Sequence, residues 1–144
     1  LGLDVALSAD DDWPEAVRSA TGGFGADLTI DLVGAGALDG HLRAAALQGR
    51  IIAIGRLGGS ADQLDLNLFS LKRLRLIGVS FRSRAVEEKA KIAGGFAEDV
   101  IPAVENGELR PVVDRIFPMM EAAAAQDYVK RNAHFGKVLI KVGE

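Results

Sequence analysis

Two apolar runs constrain this chain more than anything else in it: ADLTIDLV at residues 26–33 and RIIAIG at 50–55. RIIAIG has four apolar residues with no polar alternation, and ADLTIDLV likewise reads as a strand buried on both faces. Unbroken runs of this length read as strands covered by helices on both faces, the habit of parallel sheets. Parallel neighbours need a crossover, and the interval supplies one. Leu38, Leu42, Ala45 and Ala46 recur at helical spacing and predict a helix ending near Gln48-Gly49. Upstream, the patch Val5–Leu7 reads as a further short strand. Asp10, Asp11 and Asp12 then offer N-caps, and Pro14 suits a first helical turn. Trp13, Val17 and Ala20 mark a helix that Gly22-Gly23 stops. The first 55 residues therefore predict β-α-β-α-β with right-handed crossovers, an α/β fold with a doubly wound parallel sheet.

Beyond Gly55 the rhythm loosens. Residues 56–73 read as a long connection with a short helix at Leu68–Lys72, followed by a strand over 75–81. Residues 86–107 predict a long helix with Ile92, Phe96, Val100 and Val104 on one face. Gly94 and Gly95 weaken it by about 1 kcal/mol each, and Pro102 is expected to kink it. A strand over 109–118, an alanine-rich helix over 120–132 and a strand over 137–142 close the chain.

Several function classes drop out on composition. The net charge of −3 over 144 residues supplies no positive field for nucleic acid or an anionic membrane. No cysteine is present, and His41 and His134 lie far apart, so neither a disulfide nor a recognisable metal spacing exists. No apolar run approaches the roughly 18 residues needed to span a bilayer, and no signal peptide is visible, so a cytoplasmic setting is expected. The chain opens on LGLDVALS without a methionine, in what reads as the middle of a domain.

The stretch TIDLVGAGALDG (29–40) poses the functional question, because a strand running into Gly34-x-Gly36 and a helix outlines a dinucleotide-binding turn. Its spacing is G-x-G-x-x-x-G, with Gly40 one place late. Gly55-Arg56 stands where an acidic ribose reader belongs, although an arginine there also suits a 2′-phosphate. A strand–helix unit already precedes this turn. The alternative reading is a tight β-to-α turn in which glycine serves only steric needs. Asp31, inside an apolar strand, calls for a structural hydrogen-bonding partner. His41, beside Leu38 and Leu42, reads as a surface or boundary residue.

The ordered segments TGGFGADLTIDLVG, GRIIAIGRLGG, LKRLRLIGVSFRSR and LRPVVDRIFPMMEAAAAQDYVKRNAHFGKVLIKV resemble the C-terminal part of a medium-chain dehydrogenase/reductase. Within that superfamily they are most similar to the zinc-independent NADPH:quinone oxidoreductases. The resemblance covers essentially the whole chain. It implies a partial Rossmann-like sheet lacking its first β-α-β, where the true pyrophosphate turn would lie. Residues 1–108 would belong to the nucleotide-binding domain. Residues 109–144, a strand–helix–strand, would return to the catalytic domain of a longer parent.

In that register Val33 and Gly34 end the fourth strand of the parent. Ile54, Gly55, Arg56 and Leu57 pass the nicotinamide and its ribose. Ser80, Phe81 and Arg82, after Val79, offer backbone groups to the carboxamide. Phe135, Gly136 and Lys137 approach the cofactor phosphates. The implied cofactor is NADP and the implied acceptor a quinone or related conjugated carbonyl. No catalytic side chain is singled out and no metal is expected. The resemblance also implies a homodimer pairing through the strand near Leu74–Phe81, and an isolated chain with little or no cofactor affinity or activity. A zinc-dependent alcohol dehydrogenase, an enoyl reductase and a non-enzymatic α/β dimerisation module are the competing readings.

Overall fold

The computed structural model describes residues 2–143. The chain divides into two compact units, one through Arg84 and one from Ala85 onward. The first holds α1 (Trp13–Ala20), β1 (Ala26–Asp31), α2 (Leu38–Ala44), β2 (Ala45–Ala53), α3 (Leu66–Leu71) and β3 (Arg75–Gly78). Its three strands are parallel, in the order β1-β2-β3, with Thr29 opposite Ile51 and Ile51 opposite Leu76.

Side-chain alternation along these strands sorts the apolar residues onto two faces. On one face Ile51 is fully buried beneath Leu42, Ala45 and Leu74, with Leu38, Leu64, Leu68 and Phe69 packed around them. Both crossover helices, α2 and α3, supply that layer. On the other face Leu28, Ile30 and Ile77 remain exposed. The runs 26–33 and 50–55 were expected to be covered on both faces. Within this unit only the helix-bearing face is covered, because strands laid down in sequential order carry their right-handed crossovers on one side.

The Val5–Leu7 patch forms no strand. It has no ladder partner, and Leu3, Val5 and Leu7 are exposed. The second helix also ends earlier than its apolar spacing suggests. Ala45 and Ala46 are already in β2, where Ala45 pairs with Ala26 across an irregularity before Leu28. The cause lies in Lys72, whose Nζ donates to the carbonyls of Leu42, Arg43 and Ala45, each at 2.8 Å. A cation there satisfies the orphan carbonyls of the helix end and removes the need for another turn. Gln48, in the left-handed region at φ 64°, turns the chain onward, and its N–H donates to the Lys72 carbonyl.

Other expectations hold with shifted limits. Asp65 caps α3, its Oδ1 accepting from Leu68 N at 2.9 Å. Asp12 stands at the N-cap position of α1, but its carboxylate pairs with Arg43 at 3.1 Å instead of capping. Gly23 N donates to Arg18 O just past the end of α1.

The second unit contains α4 (Val86–Asp99), α5 (Ile101–Glu105), β4 (Val113–Pro118), a 3₁₀ turn (Met119–Glu121), α6 (Ala122–Lys130) and β5 (Lys137–Lys141). The single kinked helix expected over 86–107 is two helices broken at Val100. Pro102 sits in the first turn of the second helix, where its missing N–H costs nothing. β4 and β5 are parallel and joined through α6. Phe117 on β4 and Ala125 on α6 are buried.

Replacing Lys72 with methionine is expected to lower unfolding free energy by about 1–2 kcal/mol, since three carbonyls lose a charged donor that solvent only partly replaces. Urea denaturation of K72M against the wild-type chain measures this.

Candidate functional site

The turn after β1 is organised by one carboxylate. Asp31 ends β1 on the helix-covered face, and its side chain is 6% exposed. Oδ1 accepts from Val33 N at 2.8 Å and from Gly34 N at 3.0 Å, and Oδ2 accepts from Gly34 N at 3.2 Å. The Asp31 carbonyl accepts from Ile54 N and Gly55 N, tying the turn to the end of β2. Burial pushes the Asp31 carboxyl upward, but the Gly34 and Val33 amides and the nearby His41 outweigh it. The net effect holds it below the ordinary carboxylate range.

Each remaining amide of the turn also finds a protein acceptor. Ala35 N donates to Gly59 O at 3.3 Å and Ala37 N to Gly34 O at 3.2 Å. Gly36 N and Leu38 N donate to Asp62 Oδ2 at 2.8 and 3.3 Å. Every N–H from Val33 to Leu38 is therefore committed, four of them to carboxylates. A phosphate-binding turn needs amides that point at open space. This one presents two negative charges instead, so the β-to-α turn reading is correct.

The glycines have steric roles. Gly34 lies at φ 80°, and a Cβ there would stand 2.9 Å from Gly59 O. A Cβ on Gly40 would collide with the Trp13 ring, and one on Gly55 with the Leu32 carbonyl. Gly40 thus lets α1 close over α2, and His41 takes the boundary position, one of the two placements expected for it. Its side chain is 12% exposed, and Nε2 lies 3.3 Å from Asp31 Oδ1. Neither ring nitrogen has a hydrogen-bond partner, so the approach to Asp31 is ionic in range without hydrogen-bond alignment. Its ring centroid is 5.3 Å from that of Trp13.

The sequence-predicted residues do not converge on one place. Ile54, Arg56, Ser80, Phe81 and Arg82 line one open groove of about 340 Å³ beyond the carboxyl ends of β2 and β3. Gly34, Gly55 and Arg56 line the adjoining groove beyond β1 and β2, together with Asp31 and Asp62. Arg56 is common to both. Val33 faces instead a cavity of about 480 Å³ with Trp13 and His41. Leu57 is 88% exposed and lines none of these. Phe135, Gly136 and Lys137 belong to the second unit. There Lys137 N donates to Val112 O at 2.8 Å and Phe135 N to Asp114 Oδ1 at 3.2 Å. Asp114 also accepts from Tyr128 Oη at 2.8 Å. This holds its carboxyl low and pushes the Tyr128 phenol up.

Sequence reasoning missed Asp62 and the contact of Trp13 with His41. Nothing local signals Asp62, which acts 26 residues from Gly36. The misplaced Gly40 was the available clue to Trp13.

The β2/β3 groove has a mixed lining. Ile54, Val79 and Phe81 supply apolar surface, and the Ser80 hydroxyl and the two arginines supply donors. The pyrophosphate finds no open amide in the 33–38 turn. Zinc does not fit: the sequence has no cysteine, and no cluster of three or more potential ligands occurs among the described residues. No helix among them is long and apolar enough to cross a membrane.

The profile of the zinc-binding dehydrogenases matches residues 1–140. The chain belongs to that family, within the medium-chain dehydrogenase/reductase superfamily. It is 27% identical over 128 residues to quinone oxidoreductase-like protein 2 of Bos taurus, covering 89% of this chain and 36% of that protein. Among solved structures it is similar to an NAD-dependent alcohol dehydrogenase, at 30% identity and a TM-score of 0.79, over 99% of this chain and 39% of that one. A mycobacterial protein complexed with NADPH shares the fold at 24% identity and a TM-score of 0.78, over 98% of this chain and 44% of that one. The chain spans little more than a third of the curated relative's length.

Asp31→Asn should destabilise the chain by about 1–3 kcal/mol at neutral pH, through the weakened hold on two amides. Because the folded carboxyl titrates below its unfolded value of about 3.9, its contribution is complete above that value. The contribution is lost as pH falls through the folded value. Denaturation curves should therefore separate wild type from D31N at pH 7 and converge in strong acid.

Proposed function

We propose that this chain is part of an oxidoreductase that passes hydride from NADPH to a quinone or related conjugated carbonyl. The observation that carries the reading is the groove of Ile54, Arg56, Ser80, Phe81 and Arg82 at the carboxyl ends of two parallel strands, where open α/β sheets take their ligands. The nicotinamide would supply the hydride. The chain's own residues would orient it, with Ile54 and Phe81 as an apolar floor and Ser80 and Arg82 near the carboxamide. Arg56 would face the ribose end and favour a phosphorylated nucleotide. The quinone acceptor is supported by the bovine relative's name. The name of the alcohol dehydrogenase at 30% identity supports a second reading, with NAD and an alcohol, although no zinc site is available among the described residues.

In this reading residues 1–108 serve the nucleotide domain, residues 109–144 the catalytic domain, and the protein works in the cytoplasm without nucleic-acid or membrane partners. Pyrophosphate amides are lacking at the 33–38 turn, so the isolated chain should bind nucleotide weakly and turn over no quinone. Titrating NADPH and NADH while following backbone amide resonances tests the site. Shifts should cluster at 54–57 and 79–82 and be larger for NADPH. Arg56→Ala should weaken NADPH by about two- to fivefold, the size of a solvent-exposed ion pair. Shifts confined to other segments would refute the proposed site, and vigorous quinone reduction by the chain would refute only its expected inactivity in isolation.

We further propose a homodimer through the strand Leu74–Phe81. β3 pairs with β2 on one side only, and Leu76 and Ile77 are exposed, an open apolar edge that invites a partner strand. Light scattering should return twice the 15.2 kDa chain mass. Leu76→Lys should return the monomer.

A further inference from the structure

We infer that Asp62 is a positioning residue, which clamps the connection after β2 against the turn after β1 and so fixes Arg56 where the two grooves meet. Arg56 is exposed and lies in the stretch 54–65, which joins β2 to α3 outside any helix or sheet strand. It borders both grooves. Among the described residues, none holds its guanidinium by a hydrogen bond or an ion pair. Where this cation sits is therefore decided by its backbone.

That backbone is tied to the turn at successive points. Ile54 N and Gly55 N donate to Asp31 O at 2.9 and 3.1 Å. Gly58 N donates to Val33 O at 2.7 Å, and Ala35 N to Gly59 O at 3.3 Å, in a parallel bridge between Gly34 and Gly59. The bridge is built largely from glycines, the residues with most freedom to move away from it. Asp62 closes it on the far side. Its Oδ2 accepts from Gly36 N at 2.8 Å and Leu38 N at 3.3 Å, and its Oδ1 from Gln63 N at 2.8 Å. A carboxylate forms the stronger kind of bond to such amides, and the loop it closes is short, so little chain entropy opposes it.

Two simpler roles predict different results. If Asp62 served α2 alone, its loss would be felt at Gly36 and Leu38 and not at Arg56. If it acted only as a charge, it would repel an anion from the groove it shares with Arg56, and its loss would tighten a phosphorylated nucleotide. The clamp predicts the opposite sign, because a misplaced cation contributes less than a held one. The link to a nucleotide rests on the function proposed above. The link from Asp62 to Arg56 does not.

In the full chain, Asp62→Ala should speed hydrogen exchange at Ala35 and Gly58 by about threefold or more and raise the fast backbone motion of Arg56 seen by amide relaxation. Circular dichroism confirms the fold. Asp62→Lys, which also removes the acceptor, should repeat both changes. Asp62→Asn keeps an acceptor oxygen and should stay within about twofold of the wild-type exchange rates. NADPH should bind D62A about two- to fivefold more weakly, the loss expected for R56A, and the double variant no more weakly than R56A alone. Unchanged exchange at Ala35 and Gly58 with unchanged motion at Arg56 in D62A overturns the inference. So does tighter NADPH binding by D62A where R56A weakens it. An R56A chain that binds NADPH as the wild type does counts only against the proposed function, and exchange and relaxation still decide the clamp.

Discussion

The carboxylate of Asp31 is the constraint on which this end of the molecule depends. A charge this deeply buried is tolerated only where donors replace its water, and the donors at hand are the amides of the next turn. Once Val33 and Gly34 have bent back to it, Gly34 must take a left-handed conformation and lie against Gly59. The loop after β2 is thereby drawn alongside, and Asp62 reaches the start of α2. Both grooves beyond the strand ends inherit their shape from this sequence of contacts. Their linings follow as well: the amides of the turn are taken up by Asp31 and Asp62, while Arg56, Ser80 and Arg82 border the groove beyond β2 and β3.

A second theme is the one-sided sheet. Ile51 sits under a full helical layer while Leu28, Ile30 and Ile77 face outward. Apolar residues on both faces of parallel strands are what a two-sided α/β sandwich requires. This unit covers one face, and the chain spans only part of its relatives' length. The helices that do pack are locked by polar contacts the hydrophobic pattern does not announce. Lys72 closes the end of α2 with three carbonyl bonds, and Asp12 holds Arg43 across from α1.

Much of the fold was legible. RIIAIG could only be an interior strand, Gly22-Gly23 could only end a helix, and the order of motifs carried the family. The misreadings share a cause. Ala45 and Ala46 continue a helical period, yet strand pairing with Ala26 and the Lys72 cation outweigh propensity there. Val5–Leu7 has strand composition but no neighbour to pair with. The run 86–107 keeps one apolar face through Val100, but the backbone breaks there so that Pro102 can open a new helix. Of the site, the residues after Ile54 and after Val79 were legible because they follow strands at carboxyl ends. Asp62 and the Trp13–His41 contact were not, since both are made by groups distant in sequence.

By itself the sequence determined the parallel α/β class, the crossover order and the segments that border the cleft. These depend on local periodicity and on turn residues, which act over a few positions. Only the tertiary structure decided what the glycine turn is. Its amides are consumed by Asp31 and Asp62, one beside it and one 26 residues away, and its third glycine makes room for an indole from another helix. Hydrogen-bond satisfaction and close packing are properties of the folded neighbourhood. A phosphate turn and its lookalike differ only in which acceptor their N–H groups have already found.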